Sequence, residues 1–206
     1  MNYQPIENYA IIGNMRSAAL VGIDGSIDWF CFPHFDSPSI FASILDKNKG
    51  GYFKISADAW DHKEKQFYWP ETNVLITRFL SEEGVVEITD YMPVGEDIQH
   101  EKDYRIVRRV KGIHGNVHMK MSCLPAFNYA RDKHEVHITD KGAAFHSRNL
   151  SMGLASTVPL IRQNNSAIAR FEMKENETEV FVLHKIEDTS ECEIDYSEDQ
   201  AERRFK

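Results

Sequence analysis

Along most of this chain, hydrophobic and polar positions alternate with a period of two. Val117, Met119, Met121 and Cys123 alternate with His118, Lys120 and Ser122. Val86 and Ile88 alternate with Glu87 and Thr89, and Val136 and Ile138 with His137 and Thr139. Successive side chains of an extended strand point to opposite faces, so each run predicts a strand with one buried and one wet face. Apolar or β-branched runs predict further strands over residues 17–23, 27–32, 52–56, 74–79, 105–111, 143–147, 167–173 and 180–185.

Turn signals separate these runs. Asp24-Gly25 lies between two of them and is the strongest hairpin signal, because a tight turn needs a residue that tolerates positive φ. Glu83-Gly84, His114-Gly115-Asn116, Lys141-Gly142 and Asn164-Asn165 punctuate the rest. The spacing suits an all-β fold, a large antiparallel β-sandwich, better than the strand–helix alternation of a parallel sheet. Helical signal is confined to one or two turns over residues 39–45, entered through Ser37-Pro38, and to residues 196–206, where Ser197 is a candidate cap. With no repeat or linker in view, residues 1–195 read as one domain.

The chain has 206 residues, of which 42% are hydrophobic and 27% charged, a balance that rules out a disordered tail. A net charge of −8 argues against nucleic acid or an anionic membrane as partner, since both demand a basic footprint. The acidity is concentrated: residues 171–206 carry 12 acidic and 5 basic side chains. Such a segment reads as a solvated face, with a docking surface for something basic as the alternative. Cys31, Cys123 and Cys192 are too few and too scattered for a disulfide framework or a zinc site. The start, MNYQPIENYA, lacks the pattern of a signal peptide, and no apolar stretch approaches the ~20 residues that span a bilayer. The expectation is a reducing, cytoplasmic setting.

Few residues point to chemistry. His134 and His137 stand three apart, and on a strand that spacing sends them to opposite faces, so no metal site is read there. Cys31, within Trp29-Phe30-Cys31-Phe32, reads as a buried, inert thiol. Asp28, Asp36, Asp46 and Asp90 sit in or beside apolar runs, where an acid is expected to accept hydrogen bonds from turn amides. The aromatics Trp29, Phe30, Phe32, Phe35 and Phe41 form one cluster, and Phe67, Tyr68 and Trp69 another. They read as core, with exposed sugar-stacking platforms as the alternative. The segment Pro33-His34-Phe35-Asp36-Ser37-Pro38 differs from core, because bracketing prolines shape a loop and lower the entropy cost of presenting a surface.

These blocks carry a resemblance. Tyr3-Gln4-Pro5-Ile6-Glu7-Asn8-Tyr9, Asp24-Gly25-Ser26-Ile27-Asp28-Trp29 and Pro33-His34-Phe35-Asp36-Ser37-Pro38 come first. Gly50-Gly51-Tyr52-Phe53, Thr72-Asn73-Val74-Leu75, Thr89-Asp90-Tyr91-Met92-Pro93 and Arg108-Arg109-Val110-Lys111-Gly112 follow in order. Together they resemble the start of bacterial and archaeal glycoside hydrolase family 15 proteins, the glucoamylase, glucodextranase and trehalase-like enzymes. His34 and Ala126 stand where that pattern has basic residues.

The resemblance implies a non-catalytic N-terminal β-sandwich, often called a supersandwich. In such enzymes a linker helix follows, then an (α/α)₆ barrel whose two glutamic acids cleave an α-glucosidic bond with inversion. No part of the sequence matches the barrel, residues 196–206 fall where the linker helix would start, and no catalytic residue is carried over. No cofactor or metal is implied. The implied partner is the (α/α)₆ barrel, in cis or in trans, and an α-glucan or trehalose is the implied sugar. Trp29, His34, Phe35, Asp36 and Ser37 are the candidates for the barrel interface or the rim of its active site. Without the barrel, the exposed surface is expected to favour a homodimer. The alternative reading is a stand-alone carbohydrate-binding module using Trp29, Trp60 or Trp69.

Overall fold

The structure is a computed structural model that describes residues 3–58, 61–95 and 104–187. These residues are almost entirely β-structure. A single 3₁₀ turn, Ile6–Asn8, precedes β1 (Tyr9–Gly13), β2 (Ala18–Gly22), β3 (Ser26–Cys31), β4 (Ser39–Phe41) and β5 (Tyr52–Ala57). Then come β6 (Lys63–Tyr68), β7 (Leu75–Leu80), β8 (Gly84–Tyr91) and the long β9 (Arg105–Leu124). One short helical turn, α1 (Phe127–Ala130), leads to β10 (His134–Thr139), β11 (Gly142–Ser147) and β12 (Ser151–Ser156). The described chain ends with β13 (Ile161–Gln163), β14 (Ser166–Lys174) and β15 (Thr178–Ile186).

All strand pairs are antiparallel, and β9 joins two halves of one large sheet. Its C-terminal part pairs with β5 and β14, from Asn116↔Lys174 to Leu124↔Tyr52. Through β5 it connects to β3, β2 and β1. Its N-terminal part pairs with β8 and β15, from Arg105↔His184 to Gly115↔Gly84. Those neighbours extend to β7 and β6 on one side and to β12, β11 and β10 on the other. The halves enclose one hydrophobic core: Ile12, Val21, Ile27, Phe30, Phe41 and Phe53 from the first half pack in one cluster with Phe79, Ile88, Phe145, Leu154 and Phe181 from the second. Each such buried aromatic or aliphatic side chain contributes about 1.5–3 kcal/mol of transfer free energy.

Several expectations change on contact with the structure. The predicted strands at 105–111 and 117–123 are one continuous strand, so His114-Gly115-Asn116 is a crossing point between half-sheets and not a chain reversal. Residues 39–45 begin as strand β4 and pass into turns; no helix forms there. The predicted start of a linker helix at 196–206 lies outside the described residues. The Asp24-Gly25 hairpin forms as read, with Gly25 at φ +78°.

The acids within apolar runs have partners that the sequence did not show. Asp46 does accept turn amides, from Asn48 and Lys49. Asp28 instead accepts three hydroxyls, from Tyr9 (2.7 Å), Ser26 (2.6 Å) and Ser43 (2.7 Å). Burial, then the hydrogen bond to this carboxylate, pushes the Tyr9 phenol well above its ordinary pKa. Asp90 holds a buried guanidinium. Arg108 Nε donates to Asp90 Oδ1 at 2.8 Å and Nη2 to Oδ2 at 3.1 Å. The same guanidinium donates to the carbonyls of Phe53 (2.6 Å) and Gly25 (2.8 Å) and lies 4.8 Å from the centre of the Phe53 ring.

Candidate functional site

The segment between β3 and β4 makes a tight turn. Ser37 N–H donates to the His34 carbonyl at 3.1 Å, and His34 N–H donates to Ser37 Oγ at 3.1 Å. Phe35 N–H donates to the Arg16 carbonyl at 3.0 Å, which ties this turn to the β1–β2 connection. Phe35 is 62% exposed, Asp36 is exposed, and the His34 ring sits 6.2 Å from that of Tyr104. The structure therefore brings His34, Phe35, Asp36 and Ser37 together as one presented loop. Trp29 stands apart from it on β3, half-buried, with its ring 6.3 Å from Tyr129.

Tyr129 belongs to a feature that sequence reasoning missed. Asn128, Tyr129 and Ala130 follow one another at φ 53°, 58° and 62°. Three consecutive left-handed residues are rare without glycine, since each L side chain there costs about 1–2 kcal/mol. Only Asn128 belongs to a residue type that tolerates this region, so the sequence carried little signal for it. The turn is closed by Ala130 N–H to the Ala126 carbonyl (3.0 Å) and by Asp132 N–H to the Phe127 carbonyl (3.2 Å). Ala126 is buried and donates its N–H to the Ile40 carbonyl at 2.8 Å, so the position fills the interior of the turn.

Between the proline-bracketed loop and this turn lies a cleft of about 260 Å³. Phe32, Pro33, Pro38 and Ser39 form one wall, and Phe127, Asn128 and Asp132 a second. Ser147, at the end of β11, and Asn149 and Leu150, from the β11–β12 connection, close it. Its lining holds one carboxylate, Asp132. Ser39 Oγ is buried and has no hydrogen-bond partner.

Other candidates resolve as structural. Cys31 and Cys123 are free and buried, and burial raises both thiol pKa values, opposed at Cys31 by a hydrogen bond with Tyr129. His134 packs edge-on against Phe127 and Phe145 and its Nε2 lies 2.8 Å from the Asn165 carbonyl. Burial lowers its pKa. His184, on β15, is pulled down to about 4, by burial above all. Among the described residues, no group of three or more His, Cys, Asp or Glu side chains is placed to hold a metal ion. In the second aromatic cluster, Phe67, Tyr68 and Trp69 are exposed, but the Tyr68 hydroxyl bridges both backbone groups of Ile11 at 2.8 and 2.9 Å. It caps the open edge of β1, and an edge so occupied is closed to a further strand.

Comparison with known proteins places this architecture. A family model described as trehalase-like, N-terminal, matches residues 1–205. A trehalase of Thermoplasma volcanium is 35% identical over 176 residues, covering 84% of this chain and 28% of that protein. A trehalase of Thermoplasma acidophilum is 35% identical over 159 residues, 75% of this chain and 27% of that protein. Trehalase 1 of Sulfolobus acidocaldarius is 38% identical over 134 residues, 65% of this chain and 22% of that protein. The chain thus spans between 22% and 28% of the length of these relatives. It belongs to the trehalase-like N-terminal domain family of glycoside hydrolase family 15 proteins.

Proposed function

We propose that this chain is a non-catalytic scaffold that docks against an (α/α)₆ catalytic barrel, supplied in cis or in trans, which hydrolyses an α-glucosidic bond with inversion. The observation that carries this reading is one of extent: the match is to an N-terminal domain, and it accounts for 28% of the Thermoplasma volcanium trehalase. Most of such an enzyme lies outside it, and this reading assigns to that remainder the pair of acids that would cleave the glycoside. The end of the sandwich bearing residues 34–37 and the left-handed turn is the docking end. There Met15 (85% exposed), Phe35 and Tyr129 (42%) present apolar surface on loops fixed by backbone hydrogen bonds. Exposed apolar side chains on preorganised loops suit a protein partner, because little entropy remains to be lost on binding.

Without a barrel, the same surface is available to a second copy of the chain. The buried free thiols of Cys31 and Cys123 suit a reducing, cytoplasmic setting. A stand-alone sugar-binding module is the weaker alternative, since Trp29 is half-buried against Tyr129 and Tyr68 is engaged by β1.

The test pairs the purified chain with the part of the Thermoplasma volcanium trehalase that lies beyond its matching segment. The chain alone is expected to leave trehalose and maltooligosaccharides intact, and to bind that part. Phe35→Asp should weaken the association ~10-fold or more, as loss of a central interface anchor does, with an unchanged melting profile. Turnover by the chain alone, or association indifferent to Phe35, refutes the reading.

A further inference from the structure

We propose that the cleft between the proline-bracketed loop and the left-handed turn is a binding site for a single neutral pyranose ring. Its volume, about 260 Å³, falls just short of the ~300 Å³ at which pockets for drug-sized ligands begin, so it suits one small ring. Its walls divide by chemistry. Phe32, Pro33, Pro38, Phe127 and Leu150 are apolar. Against them stand the side chains of Asn128, Asp132 and Asn149, which take part in no hydrogen bond or ion pair with the described residues. Within the first wall the Ser39 hydroxyl is buried without a partner, the condition in which a polar group is most costly.

Other ligand classes fit less well. An anion would meet the Asp132 carboxylate and no facing cation. A divalent cation would find a single carboxylate where several oxygen ligands are needed. A hydrocarbon would bury Asn128 and Asp132 with nothing to bond, at about 1–3 kcal/mol each. A pyranose has both characters. Its C–H face lies on the ring of Pro33 or Pro38, and its hydroxyls donate to Asp132 while exchanging hydrogen bonds with the two amides. The backbone agrees: Asn128, a lining residue, opens the three-residue left-handed run, and strain of that kind is retained where a surface has a task. This inference rests on the cleft alone and does not depend on docking to a barrel.

The test is a titration of the ¹⁵N-labelled full chain, followed by amide shifts. Methyl α-D-glucopyranoside and trehalose are the probes; ethylammonium chloride is the competitor class, since an amine could pair with Asp132. Saturable shifts with either sugar are expected, confined to residues 32–39, 127–132 and 147–150. Asn149→Ala, at an exposed position, and Leu150→Trp, which fills the cleft, should each weaken binding ~10-fold or more. Thermal melts of both variants establish that they fold. Absence of saturable shifts with both sugars overturns the proposal, as do shifts centred on Phe67–Tyr68–Trp69, saturation by ethylammonium alone, or unchanged affinity in both variants. A negative result would leave the proposed barrel association, which has its own binding test, untouched.

Discussion

Arg108 heads the fully buried side chains by volume, and its position shows what the family blocks are for. Asp24-Gly25, Asp90 and Arg108 lie far apart in sequence, yet the Gly25 carbonyl and the Asp90 carboxylate receive the same guanidinium. Asp28, with Tyr9, Ser26 and Ser43, forms a second buried hub. These motifs hold the fold together. A buried ion pair gains little over a well-packed apolar pair, but breaking one side of it is costly because a charge stays buried without its counter-ion. Asp90→Ala is therefore expected to destabilise the chain by about 3–5 kcal/mol, read from the urea midpoint at constant m. The double change Asp90→Leu with Arg108→Met should cost less than the two single changes added, since no charge is left behind. Additive losses would mean the pair does not act as a unit. The sequence showed that Asp90 was an unusual acid but could not show its partner, because 18 residues separate the two and pairing across strands follows from register.

At the scale of elements, β9 decides the architecture. Its C-terminal part presents Val117, Met119, Met121 and Cys123 inward, and its N-terminal part presents Ile106, Arg108 and Val110. Gly115 sits where the strand passes from one half-sheet to the other, at φ +68°, and a Cβ there would stand 2.2 Å from the Glu83 carbonyl oxygen. Both the backbone conformation and the close approach exclude a side chain. Gly115→Ala should lower stability by more than the ~1 kcal/mol of an ordinary glycine exchange, while Gly13→Ala, where φ is not positive and the nearest atom to an added Cβ is the Ser17 carbonyl oxygen at 3.0 Å, should cost less. Equal midpoints for the two variants would contradict this account. The glycine was legible and its role was not: a period-2 pattern broken by a turn signal reads as two strands, and only the partners of each part show the continuity. The C-terminal part of β9 and strands β8 and β10 were legible because one face is more deeply buried than the other along their alternating runs. Strand β12, Ser-Met-Gly-Leu-Ala-Ser, is buried on both faces and shows no alternation, and β6 is polar on an open edge. The candidate loop announced itself through its prolines, whereas the turn that faces it across the cleft uses residues with no strong backbone signature.

The whole molecule raises the question of whether two half-sheets make one cooperative body. Three features join them: a strand common to both, a single apolar cluster drawn from both, and the Arg108 guanidinium, which reaches from the second half to carbonyls of the first. Opening one half would strip Phe53 and Phe30 of packing partners and leave Arg108 short of two acceptors, so neither half has a stable partly folded form to populate. The two halves carry natural reporters, since Trp29 lies on β3 and Trp69 follows β6. In the variant with Trp60→Phe and Trp69→Phe, emission reports the first half; with Trp29→Phe and Trp60→Phe, it reports the second. Urea unfolding should then give one midpoint for both reporters once each is compared with far-UV dichroism of the same variant. Midpoints that separate between fluorescence and dichroism within one variant would show that the halves unfold independently. In that case the shared strand would be a hinge, and a partner that docks at the loop end of the sandwich would feel only the half that carries the loop.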